Sequence, residues 1–197
     1  EESFADIPFT IHEDYLLTPA TQSEALRLGR EQMSAAKLNS AEMFATTLSR
    51  LVPFVRMIAV TGSVAYGSAE KWDDIDLFIV TERGRLWLTV FMALILVRVG
   101  KSLGIRASHL SSFCLSYVHD ELGFAADSSR NQVNPLFARE LLKAKPVVGS
   151  KQYRKLLQEN EWVGRMYAIP YAEKMKELDQ PLDKEPIDSI RNIGWFS

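Results

Sequence analysis

Cysteine is nearly absent: the 197 residues hold one, Cys114. An intrachain disulfide is excluded, and such usage suits a reducing, cytoplasmic compartment. Cys114 lies in an apolar run and reads as a small buried hydrophobe. A signal peptide is also missing. The chain opens Glu1-Glu2-Ser3, acidic and without an initiator methionine, as a trimmed or processed chain would. The longest apolar run, residues 86–97, is broken by Thr89 and falls short of the roughly 20 residues a membrane-spanning helix needs. No membrane association is expected. A basic excess is lacking too: the net charge is −2, against a protein that coats nucleic acid. Internal repeats, zinc-type spacing and a locally supported Ser-His-Asp set are absent. His12 stands alone among acidic neighbours and reads as a surface residue.

What the chain does have is ordinary globular composition, 47% apolar and 24% charged, and one unusual stretch. Residues 57–81 read MIAVTGSVAYGSAEKWDDIDLFIVT. An apolar run enters Thr61-Gly62-Ser63, a short segment closes at Gly67, and Asp73-Asp74-Ile75-Asp76 leads into a second apolar run. The pattern predicts strand, glycine turn, short helix, loop and strand. Alternation along the second strand sends Asp74 and Asp76 to one face with Phe78 and Val80, and Ile75, Leu77 and Ile79 to the other. A lone Asp-x-Asp is ordinarily a solvated loop or a strand-end cap. Its position here, at a sheet rim after a glycine turn, sets it apart. Two close carboxylates repel unless a cation lies between them. Mg²⁺ characteristically takes one or two carboxylates and fills its sphere with substrate phosphate oxygens. Gly62 and Ser63 would open a helix whose free N–H groups face an anion.

Gly62, Ser63, Asp74 and Asp76, in this order and spacing, resemble the signature of the DNA polymerase β superfamily of nucleotidyltransferases. The likeness is specific over about residues 55–100, where the continuation Leu77-Phe78-Ile79-Val80-Thr81 and Gly84-Arg85-Leu86-Trp87-Leu88 resembles uncharacterised bacterial and archaeal members. The resemblance implies metal-dependent transfer of a nucleoside monophosphate, AMP from ATP, to a hydroxyl of an unknown acceptor. It assigns Asp74 and Asp76 to catalysis and to Mg²⁺ (or Mn²⁺), with Asp73 as a further metal ligand. Gly62, Ser63 and Arg85 become nucleotide-phosphate contacts. The partner would be a nucleotide, with RNA, a small molecule or a protein as acceptor; oligomeric state is not indicated. The superfamily's third carboxylate often sits on the next strand, where this chain has none. Ser116 occupies the corresponding position, with Asp120 and Glu121 as the nearest acids. That departure keeps two other readings in play. One is a nucleotide- or RNA-binding regulatory module; the other is the protein-modifying partner of a toxin–antitoxin-like pair.

The expected fold class is α/β (α+β), a small mixed sheet with helices packed on it and helical extensions at both ends. Three segments are expected: N-terminal helical residues 1–54, a nucleotidyltransferase core over 55–122, and a C-terminal helical segment and tail over 123–197. Residues 8–11 and 15–17 read as short extended pieces or one short helix. Two helices are expected before the core, the first from about Glu24 after a cap at Thr21 or Ser23, the second capped by Ser40. Arg27, Arg30, Lys37 and Arg50 form their solvated face. The loop-helix of thirteen residues between the two strands is short for a parallel crossover, so antiparallel or mixed pairing follows. Residues 86–100 form a helix apolar on nearly every side, hence covered on both faces. Arg85 at its start either meets a phosphate or pairs with Glu82. The third strand is expected at 110–118, with Phe113, Leu115 and Tyr117 on one face and Cys114, Ser116 and Val118 on the other. Residues 123–135 read as a polar loop of lid length. Residues 136–145 form a helix stopped by Pro146, and Ser150 caps another. Arg139, Lys143, Lys145, Lys151, Arg154 and Lys155 make a basic stretch, either a solvated face or a wall facing phosphate. The tail ends on Ile193-Gly194-Trp195-Phe196.

Overall fold

The computed structural model describes residues 10–12, 15–17, 24–102, 113–130 and 134–179. The expected caps at Thr21 and Ser23, the loop around Gly104, residues 110–112 of the third strand and the apolar chain end lie outside the described residues.

Two apolar runs pair as expected: β3 (Val55–Thr61) and β4 (Ile75–Thr81) are antiparallel, with Ile58 opposite Ile79 and Thr61 opposite Asp76. β5 (Phe113–Asp120) adds parallel to β4, and β6 (Lys145–Val148) adds antiparallel to β3. The mixed sheet has the order β5-β4-β3-β6. β6 is a strand that sequence reasoning missed, because it is four residues long and contains Pro146. A proline is tolerated there because β6 is an edge strand. Its last turn is made by Gly149 (φ 73°), where an added Cβ would overlap the Arg56 carbonyl. A separate two-stranded hairpin pairs β1 (Thr10–His12) with β2 (Tyr15–Leu17).

Alternation sorts the side chains as the pattern predicts. Ile75, Leu77 and Ile79, with Ile58 and Val60, face a core closed by α1 (Glu24–Leu51) through Ala41, Phe44, Ala45 and Leu48, and by Val52 just after it. The helix α3 (Leu86–Ser102) joins that core through Ala93, Met92, Leu96 and Val97. Met57, Ala59, Phe78 and Val80 face the opposite side. There α4 (Glu121–Arg130), α5 (Pro135–Lys143), α6 (Ser150–Glu159), α7 (Glu161–Met166) and α8 (Ala168–Asp179) cover them. The architecture is therefore helix, mixed sheet, helix, in line with the α/β expectation.

Several sequence expectations are corrected. The first two helices are one: the Ser40 hydroxyl donates to the Ala36 carbonyl 3.1 Å away and stays within the helix instead of capping a new one. The lid-length loop is largely α4. Asp120 supplies its N-terminal cap, its Oδ1 accepting from the Gly123 N–H at 2.8 Å. The helix after Gly149 divides into α6, α7 and α8, with irregular backbone at Asn160 and Tyr167. β5 slips register by one residue between Asp76/Cys114 and Phe78/Tyr117. This bulge re-phases the alternation, since an extra residue on one strand turns successive side chains towards the same face. Phe113, Leu115 and Val118 pack on the α1 side, whereas Ser116 and Tyr117 both reach groups on the other. Cys114 is exposed, because β5 is an edge strand half open to solvent. Lys37, expected on a solvated face, is 2% exposed.

Candidate functional site

The antiparallel register brings Thr61, at the end of β3, beside Asp76, at the start of β4. The chain then turns at Gly62 (φ 63°), which begins the one-turn helix α2 (Gly62–Ala65). The turn is closed against the acidic strand. A Cβ on Gly62 would overlap Asp76 Oδ2 and stand 3.2 Å from its Cγ. From the other side, the Ser116 hydroxyl donates to Asp76 Oδ1. Gly62, Asp76 and Ser116 thus meet at one end of the sheet. Ser116 occupies the place where the resemblance leads one to look for a third acid.

Asp74 lies just ahead of β4 and is exposed. Asp73 is engaged by its own loop and by the turn. Its Oδ2 accepts from the Glu70 N–H at 3.0 Å, and the Ser63 side chain bonds to it as well. The backbone bond first, and then Ser63, hold the Asp73 carboxyl below its ordinary pKa. The Ser63 carbonyl accepts from Ser68 N–H at 3.0 Å, which shuts the loop that leaves α2. Asp73 is thereby a tie between the glycine turn and the acidic loop.

The loop is also gripped from behind by one stripe of α1. Arg30 pairs with the Glu70 carboxylate. Ser34 Oγ accepts from the Ala69 N–H at 2.9 Å. The Lys37 ammonium donates to the Glu70 carbonyl at 2.6 Å and to the Asp73 carbonyl. Residues at i, i+4 and i+7 share one helix face, so three consecutive turns of α1 hold the segment that delivers the acids.

A small apolar cleft opens beside Asp76, lined by Thr61, Phe78, Tyr117, Phe137, Glu140 and Leu141. Its volume is about 30 Å³, room for little more than water. Tyr66, on the residue that ends α2, donates its hydroxyl to Glu140 Oε1 at 2.9 Å, and Arg139 lies over the Tyr66 ring at 5.2 Å. Tyr66 and Glu140 are 74 residues apart, so no local pattern announces the pair. Burial, reinforced by the Glu140 carboxylate, pushes the Tyr66 pKa up to about 12. A tyrosine whose folded pKa exceeds its unfolded value adds stability that is complete below about pH 10 and lost as the pH rises through the folded value. Tyr66→Phe should therefore flatten the decline in unfolding free energy between about pH 10 and 12, measured by urea titration at each pH. Tyr153 and Tyr171 are also raised by burial, so the wild-type-minus-variant difference carries the Tyr66 contribution. An unchanged slope would refute it.

Three sequence candidates do not join the group. Arg85 follows the far end of β4, roughly 17 Å of strand from Asp76 at 3.3 Å per residue. Its guanidinium lies over the Phe54 ring at 5.5 Å; neither the phosphate contact nor the pairing with Glu82 is needed to explain it. Glu82 pairs with Arg56 at 2.7 Å. Because β5 runs parallel to β4, Asp120 lies beside Thr81 and not beside Asp76. Asp120 accepts from the Gly84 and Gly123 N–H groups, bonds that hold its pKa low. Glu121 stands 3.8 Å from Arg56. Neither acid can stand in for the missing third carboxylate. In the basic stretch, β6 brings Lys145 opposite Val60, at the Gly62 end of the sheet. Arg154 and Lys155 are on α6 and pair with Asp179 and Glu159.

Residues 41–166 match the model of the nucleotidyltransferase domain. The chain belongs to this family. The match runs from the core-facing half of α1 to the end of α7 and includes all four strands of the nucleotidyltransferase sheet. No curated protein and no solved structure matches the chain. Among the described residues, no group of three or more His, Cys, Asp or Glu side chains converges on a metal position. The donors gathered at the Gly62–Asp76 end of the sheet are carboxylate oxygens and one hydroxyl. That set fits Mg²⁺ or Mn²⁺ delivered with a triphosphate, since Mg²⁺ binds by one or two carboxylates plus phosphate oxygens and needs no all-protein cage.

Proposed function

We propose that this domain binds ATP with Mg²⁺ at the Gly62–Asp76 end of the sheet and transfers AMP to a hydroxyl of an acceptor. The close approach of the Gly62 turn to Asp76 supports the reading. Asp74 and Asp76 would hold the cation, which supplies charge neutralisation at the triphosphate and acidifies the acceptor hydroxyl. Gly62 lets the backbone approach the phosphates without a side chain in the way. The first N–H groups of α2 would provide positive charge for them. In the transfer, the acceptor oxygen bonds to the α-phosphorus and loses its proton, the bond to the β-phosphate oxygen breaks, and pyrophosphate leaves. The Phe78, Tyr117 and Phe137 rings would offer apolar surface at the mouth of the cleft.

Ser116 favours a second reading. A hydroxyl bonded to Asp76 where a third carboxylate is expected weakens cation binding, which suits a nucleotide-binding module with little turnover. Thermal unfolding with each NTP, with and without Mg²⁺ or Mn²⁺, addresses binding first. A ligand at a hundred times its Kd adds about 2.7 kcal/mol, so one NTP plus metal should raise Tm by several degrees. Asp74→Asn/Asp76→Asn should remove the metal-dependent part. No response to any NTP with metal would sink both readings. A response without transfer of labelled AMP to RNA, small hydroxyl compounds or protein would select the second.

A further inference from the structure

The sequence leads one to expect α3 covered on both faces, and among the described residues one face is covered. Ala93, Met92, Leu96 and Val97 face the sheet. Trp87 (81% exposed), Leu88, Phe91 (59%), Leu94 (57%) and Ile95 face outwards. These positions recur every three or four residues and form a continuous stripe over more than two turns. Arg98 is the one charged side chain between Leu86 and Gly100, and it is exposed at the far end of that stripe.

We propose that this stripe is the contact between two copies of the chain, packed as antiparallel α3 helices about a two-fold axis. Three observations select a second copy as the occupant. The first is area: full cover of the five side chains would bury at most about 600 Å² per copy, hence on the order of 1,200 Å² for a pair, the lower end of specific interfaces. The second is self-complementarity. With the axis between Met92 and Ala93, Phe91 of each copy meets Leu94 of the other, and Arg98 of each meets Trp87 of the other. The single cation on the stripe is thus carried to its most exposed aromatic ring, a favourable cation–π pair. An isologous contact requires such reciprocal matching. The third bears on a lipid surface. A helix lying in a membrane interface keeps a face rich in Lys and Arg opposite its apolar one, whereas the opposite face of α3 is core.

The pairing is independent of the proposed chemistry. Light scattering of the 197-residue chain from 1 to 100 μM should give twice the 22.3 kDa monomer mass at the upper end. Phe91→Glu should raise the dimer Kd at least 100-fold while leaving the circular dichroism spectrum unchanged. Trp87→Ala and Arg98→Ala, which leave the core side of α3 intact, should each weaken the dimer about 10-fold, and the double variant little more than either. A monomer throughout the range overturns the proposal, as does a dimer indifferent to Phe91→Glu. A monomer that sediments with phosphatidylserine-containing vesicles and releases them on Phe91→Glu assigns the stripe to a membrane, and overturns it too. Additive effects of Trp87→Ala and Arg98→Ala overturn the antiparallel register.

Discussion

Gly62→Ala is expected to abolish metal-dependent nucleotide stabilisation and to cost about 2–4 kcal/mol of folding free energy. Two terms contribute. The left-handed conformation at φ 63° costs a residue with a Cβ roughly 1–2 kcal/mol. The remainder comes from the overlap with Asp76 Oδ2, which forces either the carboxylate off its position or the turn off the strand. Gly84→Ala isolates the first term: Gly84 has a similar φ, 72°, and an added Cβ there meets nothing within 4 Å. The second term is read by a double-mutant cycle. In an Asp76→Ala background, Gly62→Ala should cost no more than Gly84→Ala does in the wild type. Chemical denaturation of the variants checks both. If the Gly62→Ala cost survives intact in the Asp76→Ala background, the close approach of the glycine turn to Asp76 does not govern the site.

Why that contact was legible in the sequence, and others were not, follows from the range over which each constraint acts. The two central strands announce themselves through uninterrupted apolar runs, and period-two alternation fixes which face Asp76 shares with Phe78. The glycine turn is local, and so is its coupling to the following strand. The family resemblance covered the same stretch, and the family match extends it to residues 41–166. The third strand was placed correctly in order, but its bulge has no local signature, so Val118 and Tyr117 were assigned to the wrong faces. β6 is too short to carry a period. Asp120 and Glu121 looked like substitutes for a missing ligand because they are near in sequence to Ser116. In space, a parallel strand carries them to the opposite end of the sheet. Tyr66 and Glu140 meet only through the packing of α5 on the sheet. The stripe of α3 shows the reverse error: hydrophobicity on all sides was read as burial on all sides, though the described residues bury only one of them.

Lys37 is the largest departure, and it yields the second strong prediction. A lysine among polar helix residues is ordinarily solvated, because an ammonium is costly to bury without compensation. Here the site beneath the acidic loop supplies compensation in carbonyl oxygens. The ammonium binds Glu70 and Asp73 at the two ends of one turn, and the Asp73 carboxylate lies close enough to feel its charge. Arg30 and Ser34 hold the same turn through Glu70 and Ala69. Lys37→Met keeps the length and the apolar stem but removes the donor. Two half-buried carbonyls then lose their partner, at about 1–3 kcal/mol each, offset in part because no charge need be buried. A net loss of about 2–4 kcal/mol is expected. Lys37→Arg should not restore it, since the planar guanidinium cannot point its donors at both carbonyls from the same stem.

The effect on the site should be separable from the loss of stability. Hydrogen exchange, followed residue by residue under native conditions, should show the Ala69, Glu70 and Asp73 amides exchanging at least 10-fold faster in Lys37→Met than in a core variant of equal global stability, such as Leu48→Val. The amides of Ile75–Thr81 should exchange alike in the two. Local opening of the turn lets Asp74 wander relative to Asp76, so nucleotide-plus-metal affinity should fall in Lys37→Met and hold in Leu48→Val. Equal exchange and equal affinity in the two variants would reduce Lys37 to an ordinary contributor to the core. The expected difference would make it a positioning residue, acting through two backbone carbonyls on the loop that carries Asp74 into β4.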